Sequence, residues 1–462
     1  MVFNSLHFLV FFGIVTSAYF LLAHRLRWIL LLVASCYFYM AFQPIYLGIL
    51  GFTIVVDYYA GIYIEKYEGR LKKLCLAASL VTNIGVLAVF KYYGFLTGNL
   101  NSAAHLFGYS LQLPNLSILL PIGLSFHTFQ AMSYTIEVYR GHQKAERNFG
   151  IYSLYVMFYP QLVAGPIERP QNLIHQFYRE HHWDTARVQS GIFQMMQGLF
   201  KKVVIADRLA LLVDSVYGSL AIQSGPNLIL ASVFYSFQIY CDFSGYSDIA
   251  IGAARIMGFD LMTNFNLPYT AKSIPDFWRR WHISLSTWFK DYVYFSLGGN
   301  RVSIPRWYMN IMIVFIISGF WHGASWNFVI WGALHGVFQL VGITISRYFP
   351  SLSPERANGI YLRVLQLWTF CLVTLAWVFF RIPHFAQIKM YVSRLFVWQR
   401  DAPMGMHLNE VVLSICLLLG LQLWEQRKPI ALRYFWLLVP IWVFVIYFLG
   451  VFNLKQFIYF QF

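Results

Sequence analysis

Long apolar runs separated by short polar connections constrain this chain more than any other feature of its sequence. The runs fall near 6–23, 28–43, 45–63, 74–92, 117–137, 149–164, 189–215, 226–258, 307–321, 325–346, 361–380, 409–424 and 431–452. Most approach the roughly 20 residues that a bilayer-spanning helix needs, whereas the strands of a membrane barrel alternate over about ten residues. We therefore predict an all-α polytopic membrane protein with about 11–13 membrane-embedded helices.

The amino-acid composition excludes the other broad classes of protein. Hydrophobic residues make up 58% of the 462 residues and charged residues 11%, less than half the share of about 25% in soluble domains. A water-soluble globule is excluded, and so is a disordered chain, because disorder requires high polarity and few aromatic residues. The chain contains no inverted repeat typical of transporters and no long polar segment. We therefore predict one domain over residues 1–462.

Basic residues are concentrated in the connections between apolar runs. The chain has 34 Lys and Arg against 19 Asp and Glu, a formal charge of +15. The loop 65–73 is basic, whereas the stretch 98–116 carries no charge. Since cytoplasmic loops are rich in Lys and Arg, this alternation predicts an N-terminus outside the cytoplasm. In a membrane protein the charge does not predict nucleic acid binding, but it can attract an anionic, phosphate-bearing substrate.

Several common functional signatures are absent from the sequence. The five cysteines lie in or beside apolar runs without a C-x-x-C pair, so we expect neither a disulfide framework nor a zinc site. The first residues lack the basic region of a cleaved signal peptide, and we expect the first apolar run to be retained. No nucleophile elbow, P-loop or zincin motif occurs. We therefore predict no metal and no bound cofactor, with any chemistry depending on histidine.

An aromatic and basic segment at 277–292 is the first candidate for chemistry. Apolar and aromatic residues recur there in steps of three and four, which places them on one face of a helix. They are Phe277, Trp281, Leu285, Trp288, Tyr292 and Phe295. Arg279 and Lys290 fall on the opposite face, and His282 lies at the edge between the faces. The pattern predicts an amphipathic helix at the membrane surface. Such a helix is either a simple interfacial anchor or a basic rim that receives phosphates, with His282 directed toward a pocket.

His322 is the second candidate. It follows a strongly apolar run, which predicts a position at membrane depth, and the small residues beside it leave room for a substrate chain. Ionisable groups at such depth are rarely without a function. A neutral imidazole is a competent general base. The alternative is a structural histidine that is hydrogen-bonded to a neighbouring helix.

Two further groups are weaker candidates. His335 lies 13 residues past His322, and on one continuous helix this separation turns about 220°. The two histidines would then face apart, so we expect His335 to pack or to form a hydrogen bond rather than to share a metal. The stretch 238–248 contains two acids and several hydroxyls within an apolar run. It either lines a polar tunnel or pairs with arginines such as Arg255.

Six blocks of sequence, spread over nearly the whole chain, carry a family resemblance. They are PIGLSFH at 121–127, PQLVAGPIER at 160–169, YCDFSGYSD at 240–248, DFWRRWHISLS at 276–286, WHG at 321–323 and FIYFQF at 457–462. In this order they resemble the membrane-bound O-acyltransferase (MBOAT) superfamily, and in particular its bacterial alginate O-acetyltransferase branch. A single W-H-G would be a weak signal, whereas six ordered blocks are specific.

The resemblance implies the family's fold and its marker residues. That fold is a ring of tilted helices around a thinned centre, where a central tunnel lets a cytoplasmic acyl donor meet an acceptor from the other side. The two marker positions of the family fall on His322, implied to be the essential catalytic residue, and on His282, implied to assist or orient it. Neighbouring residues are expected to contact substrate; these are Trp281, Arg279, Arg280, Lys290, Trp321 and Asn327.

The resemblance also implies a function. An inner-membrane O-acetyltransferase, surrounded by membrane lipids, would take acetyl groups from cytoplasmic acetyl-CoA. In the alginate branch these groups pass to extracytoplasmic partner acetyltransferases, so contact with the exopolysaccharide is expected to be indirect. Related branches acetylate peptidoglycan or transfer D-alanine from a carrier protein to teichoic acid, and the motifs leave these open. The alternatives without catalysis are a secondary transporter, which the number of spans suits, and a scaffold for polymer-modifying enzymes.

Overall fold

Helices follow one another almost without interruption along the chain. The computed structural model describes residues 1–114, 120–163, 165–398, 408–427, 434–452 and 457. No β-strand occurs in these ranges, and the prediction of an all-α protein is confirmed. Three parts of the predictions lie outside the described residues: the end of the uncharged stretch 98–116, Ala164 in the second sequence block, and 458–462 in the last.

The first of two compact units contains Met1–Ile192 and Ala250–Met262. Its helices are α1 (Leu6–Leu21), α2 (His24–Met40), α3 (Ile45–Lys66), α4 (Gly69–Leu87), α5 (Tyr93–Leu106), α6 (Leu124–Arg140), α7 (Phe149–Met157), α8 (Tyr159–Leu162) and α9 (Pro170–Phe177). A π-helical turn, Ala88–Tyr92, joins α4 to α5. The buried carboxylate of Asp57 in this unit accepts hydrogen bonds from Ser79 and Asn83, as the burial of a polar group requires.

The second unit contains Phe193–Ile249 and Thr263–Phe462. Helices α10 (Thr185–Leu199) and α12 (Gly225–Met257) contribute residues to both units. The other helices are α11 (Asp207–Gly218), α13 (Ile274–Trp278), α14 (Ile283–Phe289), α15 (Ile304–His322), α16 (Trp326–Tyr348), α17 (Gly359–Arg381), α18 (Phe385–Leu395), α19 (Leu408–Arg427) and α20 (Phe435–Leu449). π-helical segments span Phe200–Ala206 and Lys290–Tyr294. The prediction of one domain over 1–462 is not decided by this division and stays a prediction.

Five helical stretches of the described chain are long and apolar enough to cross a membrane. They are Ile45–Lys66, Gly69–Leu106, Ile304–His322, Trp326–Tyr348 and Gly359–Arg381, and shorter apolar helices span Leu6–Leu21, Val411–Gly420 and Phe435–Leu449. Most of the apolar surface of the five is not covered by protein, which in water would be strongly unfavourable and in lipid is the expected arrangement. The protein is therefore polytopic, while the total of 11–13 embedded segments stays a prediction.

Helices α15 and α16 pack with their backbones in direct contact. Gly319 of α15 faces Gly332 of α16, and a methyl group added at Gly332 would overlap the carbonyl oxygen of Phe315. Small residues that permit such an approach are typical of helix pairs in membranes, where packing rather than the hydrophobic effect drives association. The contact holds the two helices that carry His322 and His335 in one arrangement.

This close contact leads to a prediction for Gly332→Ala. The added methyl group has to push the two helices apart, and we expect a loss of stability of about 1–3 kcal/mol. The matched control is Gly342→Ala on the same helix, because nothing lies within 4 Å of a methyl group added there. Thermal denaturation of both variants in detergent tests this, and equal melting temperatures would contradict the proposed close packing.

Two lysines of the second unit hold the acids predicted as a polar cluster. Lys202, in the π-helical segment Phe200–Ala206, contacts Asp242 at 2.6 Å and Asp207 at 2.8 Å, and all three side chains are buried. Lys201 contacts Asp248 at 2.9 Å. The two alternatives for these acids were a polar tunnel and pairing with arginines such as Arg255; the structure shows ion pairs with lysines of the π-helical segment. Arg255 instead donates a hydrogen bond to Ser190.

Candidate active site

His322 is the last residue of α15, where that helix stops. The next helix begins at Trp326, and the hydroxyl of Ser325 accepts a hydrogen bond from the backbone N–H of Asn327 at its N-terminus. The three residues between the helices include Gly323. His322 is therefore placed at a helix end rather than within one, and only 4% of its surface is exposed.

Aromatic rings surround the imidazole of His322. The ring centroids of Trp321, Trp331 and Phe380 lie 4.8, 5.0 and 5.3 Å from that of His322. Such walls exclude water from an imidazole, and an imidazole can accept a proton from a hydroxyl. The predicted site at His322 thus has the desolvation that base chemistry on a hydroxyl requires, although its role stays a prediction.

The prediction that His322 and His335 face apart on one helix is wrong. Helix α15 ends at His322, and α16, which carries His335, packs against α15. The ring centroids of His322 and His335 lie 5.0 and 4.9 Å from that of Trp331. His335 is fully buried, and its Nδ1 accepts a hydrogen bond from the indole N–H of Trp278 at 3.3 Å. The prediction of a hydrogen-bonding role for His335 is confirmed.

The segment 277–292 does not form the continuous amphipathic helix predicted for it. Helix α13 ends at Trp278 and α14 begins at Ile283. His282 lies between them with φ 44° and ψ 55°, a left-handed conformation that helices do not contain. Because of this break, five of the six residues of the predicted stripe are buried inside the protein instead of lying at the membrane surface; the exception is Phe295.

Asn264 organises the turn at His282 through its side-chain amide. Its Oδ1 lies 3.2 Å from His282 Nδ1 and accepts hydrogen bonds from the backbone N–H of Ser284 at 3.2 Å and the hydroxyl of Ser284 at 2.9 Å. Its Nδ2 donates to the hydroxyl of Ser247 at 3.2 Å. Backbone bonds add to this, from Ile283 N–H to the carbonyl of Asn264 at 2.9 Å and from Asn266 N–H to the carbonyl of Arg280 at 2.9 Å.

The structure brings the two predicted histidines to the same indole ring. His282 is fully buried, with its ring centroid 6.4 Å from that of Trp321 and 4.6 Å from that of Phe243. Trp321 in turn contacts His322 at 4.8 Å. Burial lowers the pKa of His282 to about 3, so its imidazole is neutral at physiological pH. His282 and His322 thus flank one tryptophan.

A cavity of about 430 Å³ begins at the predicted basic rim. Its lining includes Arg279 and Lys290, the indole of Trp278, and one face of α15 that ends with Phe315 and Ser318. His322 lies one turn beyond Ser318 on this face, since residues four apart in a helix are neighbours. Arg279 and Lys290 are both exposed. The cavity therefore joins exposed cations to apolar walls that lead toward His322.

The other predicted contact residues lie elsewhere. Arg280 forms an ion pair with Asp276 at 3.0 Å, and Trp281 packs on Phe277 and Trp377 in the core. Asn327 is buried, and its Nδ2 donates to the carbonyl of Ile382 at 2.6 Å. None of these three is part of the cavity lining, so their predicted contact with substrate stays a prediction.

No metal centre is formed by the described part of the chain. In those residues there is no group of three or more His, Cys, Asp or Glu side chains that is placed to hold a metal ion. The prediction that the protein uses no metal stays a prediction.

Sequence reasoning missed Asn264 and the lysines that pair with the acids on α12. Asn264 precedes His282 by 18 residues, and no periodicity links the two. The available signal was chemical. An asparagine such as Asn264 and two lysines within an apolar run are polar groups that must find partners when they are buried.

Comparison with known proteins shows the family to which this chain belongs. The model of the MBOAT, membrane-bound O-acyltransferase family, matches residues 140–382. That range contains both histidines, Asn264 and the cavity. The chain belongs to the MBOAT family. It is therefore a membrane O-acyltransferase and a multi-pass membrane protein, and this membership decides against the alternatives of a secondary transporter and a scaffold.

Three relatives illustrate the branches of the MBOAT family to which this chain is similar. A probable alginate O-acetylase AlgI of Azotobacter vinelandii is 40% identical, over 82% of this chain and 75% of the relative. A peptidoglycan O-acetyltransferase of Helicobacter pylori is 36% identical, over 76% and 70%. A teichoic acid D-alanyltransferase of Streptococcus thermophilus is 29% identical, over 53% and 61%. The resemblance to the alginate O-acetylase branch is confirmed.

Proposed function

We propose that this MBOAT protein takes acetyl groups from cytoplasmic acetyl-CoA and moves them across the bacterial inner membrane. Extracytoplasmic partner acetyltransferases then place them on an exopolysaccharide such as alginate. The observation that carries the proposal is the arrangement of His322 and His282 around Trp321, beside a cavity with a basic entrance. The 40% identity to a probable alginate O-acetylase supports the acetyl group and the polymer.

In the proposed reaction, His322 is the general base and both histidines are at the reacting centre. The imidazole of His322 takes the proton of the acceptor hydroxyl while that oxygen attacks the carbonyl carbon of the thioester. The carbon–sulfur bond then breaks, and the departing thiolate receives the proton from the imidazolium. General base catalysis of this kind contributes about 10²- to 10⁴-fold. The aromatic walls keep water away and so limit hydrolysis of the donor.

The cavity supplies the features that acetyl-CoA requires. Its volume of about 430 Å³ lies within the range of ligand sites, roughly 300–1,000 Å³. Arg279 and Lys290 at the exposed end are suited to the phosphates of the donor. The apolar walls at Trp278 and Phe315 lead the thioester toward His322. For this delivery the basic end faces the cytoplasm, in agreement with the predicted N-terminus outside the cytoplasm.

Charge reversal at the cavity entrance gives a prediction on the donor. We expect Arg279→Glu combined with Lys290→Glu to raise the KM for acetyl-CoA about tenfold, equivalent to about 1.4 kcal/mol, with a smaller change in kcat. The effect should shrink at high ionic strength, because salt screens exposed charges. The KM for acetyl-CoA and kcat are both measured from release of the CoA thiol by purified protein in the presence of an acceptor hydroxyl. The control is Arg363→Glu, an exposed arginine outside the cavity, and an equal effect there would contradict donor binding at the entrance.

The proposed function is tested in a strain that lacks the gene, with and without the wild-type protein restored. Acetyl content is measured in exopolysaccharide and peptidoglycan, and D-alanine content in teichoic acid. Loss and recovery of exopolysaccharide acetylation alone is the expected result. A change confined to peptidoglycan or to D-alanine would overturn the proposed acceptor in favour of the branches to which the 36% and 29% identical relatives belong. Failure of purified protein to release thiol from acetyl-CoA in the presence of an acceptor hydroxyl would overturn the proposed donor.

A further inference from the structure

The hydrogen bonds around Asn264 determine which nitrogen of His282 carries its proton. The backbone N–H of Ser284 can only donate, and it points to one atom of the Asn264 amide at 3.2 Å. That atom is therefore the carbonyl oxygen, Oδ1. The opposite atom, Nδ2, faces the hydroxyl of Ser247 at 3.2 Å, which can accept. The backbone N–H of Ser284 thus sets the orientation of the amide, and the hydroxyl of Ser247 is compatible with that orientation as an acceptor.

The orientation of the amide in turn sets the tautomer of the imidazole. Oδ1 of Asn264 lies 3.2 Å from His282 Nδ1, and an amide oxygen only accepts, so Nδ1 carries the proton. The hydroxyl of Ser284 lies 2.9 Å from the same Oδ1 and 3.4 Å from Nδ1, and it donates to the nearer atom. A neutral imidazole has one proton, so the basic lone pair of His282 is on Nε2.

We propose that Asn264 is a positioning residue for His282, which holds the imidazole in the Nδ1–H tautomer and presents Nε2 as its basic nitrogen to the reacting centre. This inference rests on the proposed function, in which His282 assists His322. Asn264 is suited to the task because it is buried, with 1% of its surface exposed. It also holds the turn itself, through its backbone carbonyl and the N–H of Ile283.

The left-handed conformation of His282 explains why such a residue is needed. A residue other than glycine at φ 44° is held there by its surroundings, because the conformation costs free energy. Four contacts from Asn264 to the residues 282–284 supply that constraint, and they fix the backbone and the ring together. Without the side chain of Asn264, both tautomers and more than one ring orientation become accessible.

The test combines a spectroscopic readout with steady-state kinetics. His282 is one of 13 histidines, and its ¹⁵N signals in labelled protein are identified as those missing in His282→Gln. In the wild type we expect a protonated Nδ1 and an unprotonated Nε2. In Asn264→Leu we expect a mixture of tautomers and a loss in kcat of roughly 10- to 100-fold, with the KM for acetyl-CoA unchanged. Asn264→Asp keeps an acceptor oxygen and should recover the tautomer and part of the activity.

Asn266→Leu provides a matched control. It is the same substitution two positions along the chain, at an exposed side chain, and we expect it to retain both the tautomer and kcat. A wild-type His282 protonated on Nε2 would overturn the inference, and so would an Asn264→Leu protein that loses activity with the tautomer unchanged. Absence of acetyl transfer by the wild type would overturn the proposed function instead, and the ¹⁵N spectra would still decide for or against the tautomer.

Discussion

Replacement of His322 with alanine is expected to lower acetyl transfer by about 10²- to 10⁴-fold. His322 is buried among Trp321, Trp331 and Phe380, so no water is at hand to take over as a base, and alanine leaves only binding and positioning. The measurement is acetyl transfer to exopolysaccharide in the deletion strain, with wild type or variant at matched abundance in the membrane. Thiol release from acetyl-CoA to an added acceptor alcohol, measured with the purified variant, gives the same comparison without partner proteins.

The control for this prediction is an exposed histidine of the same unit. His384 precedes helix α18 and is exposed, so His384→Ala should leave acetyl transfer unchanged. A His322→Ala protein with wild-type melting temperature and no activity would assign the loss to chemistry. Equal acetylation by wild type and His322→Ala would overturn the general-base role, and a variant that melts far below the wild type would favour the structural alternative.

Replacement of Lys202 with methionine is expected to lower stability by about 3–5 kcal/mol. The change removes the cation that contacts the buried carboxylates of both Asp242 and Asp207. Burial by itself lowers the pKa of Lys202, but the charges of Asp242 and Asp207 outweigh it and hold that pKa above its ordinary value, so the lysine is charged in the native protein. Thermal or SDS-induced unfolding of the purified protein measures the loss.

Two further variants separate the charge of Lys202 from its packing. Lys389→Met removes an exposed lysine and should change stability little, because exposed ion pairs and cations contribute little. The triple variant Lys202→Met, Asp207→Asn, Asp242→Asn removes the buried charges together and should recover much of the loss, since neutral buried groups avoid the desolvation penalty. A triple variant as unstable as Lys202→Met alone would show that the lysine side chain acts by packing and not by charge.

The class of protein and the position of its candidate catalytic histidine, His322, could be inferred from the amino-acid sequence. Apolar runs of spanning length predict helices directly, because a helix satisfies all its backbone hydrogen bonds locally and needs no distant partner. His322 could be identified from the same local pattern, because it is an ionisable residue that follows an apolar run. The ordered blocks from 121–127 to 457–462 were sufficient for the family resemblance, and the basic residues Arg279 and Lys290 were found from their charge and their position in the segment 277–292.

The contacts between these residues, in contrast, depend on how the helices fold together. The helix is interrupted at His282, where the sequence has no glycine that would indicate an interruption. The hydrophobic periodicity therefore predicted one helix through 277–292, whereas the chain forms two helices there. The pairing of Asn264 with His282, and of Lys202 with Asp242, joins residues 18 and 40 positions apart. Such contacts depend on how the helices pack and on the close approach that Gly198 and Gly245 permit. Local patterns determine which face of a helix is apolar, whereas the partner of a buried polar group depends on the path of the whole chain.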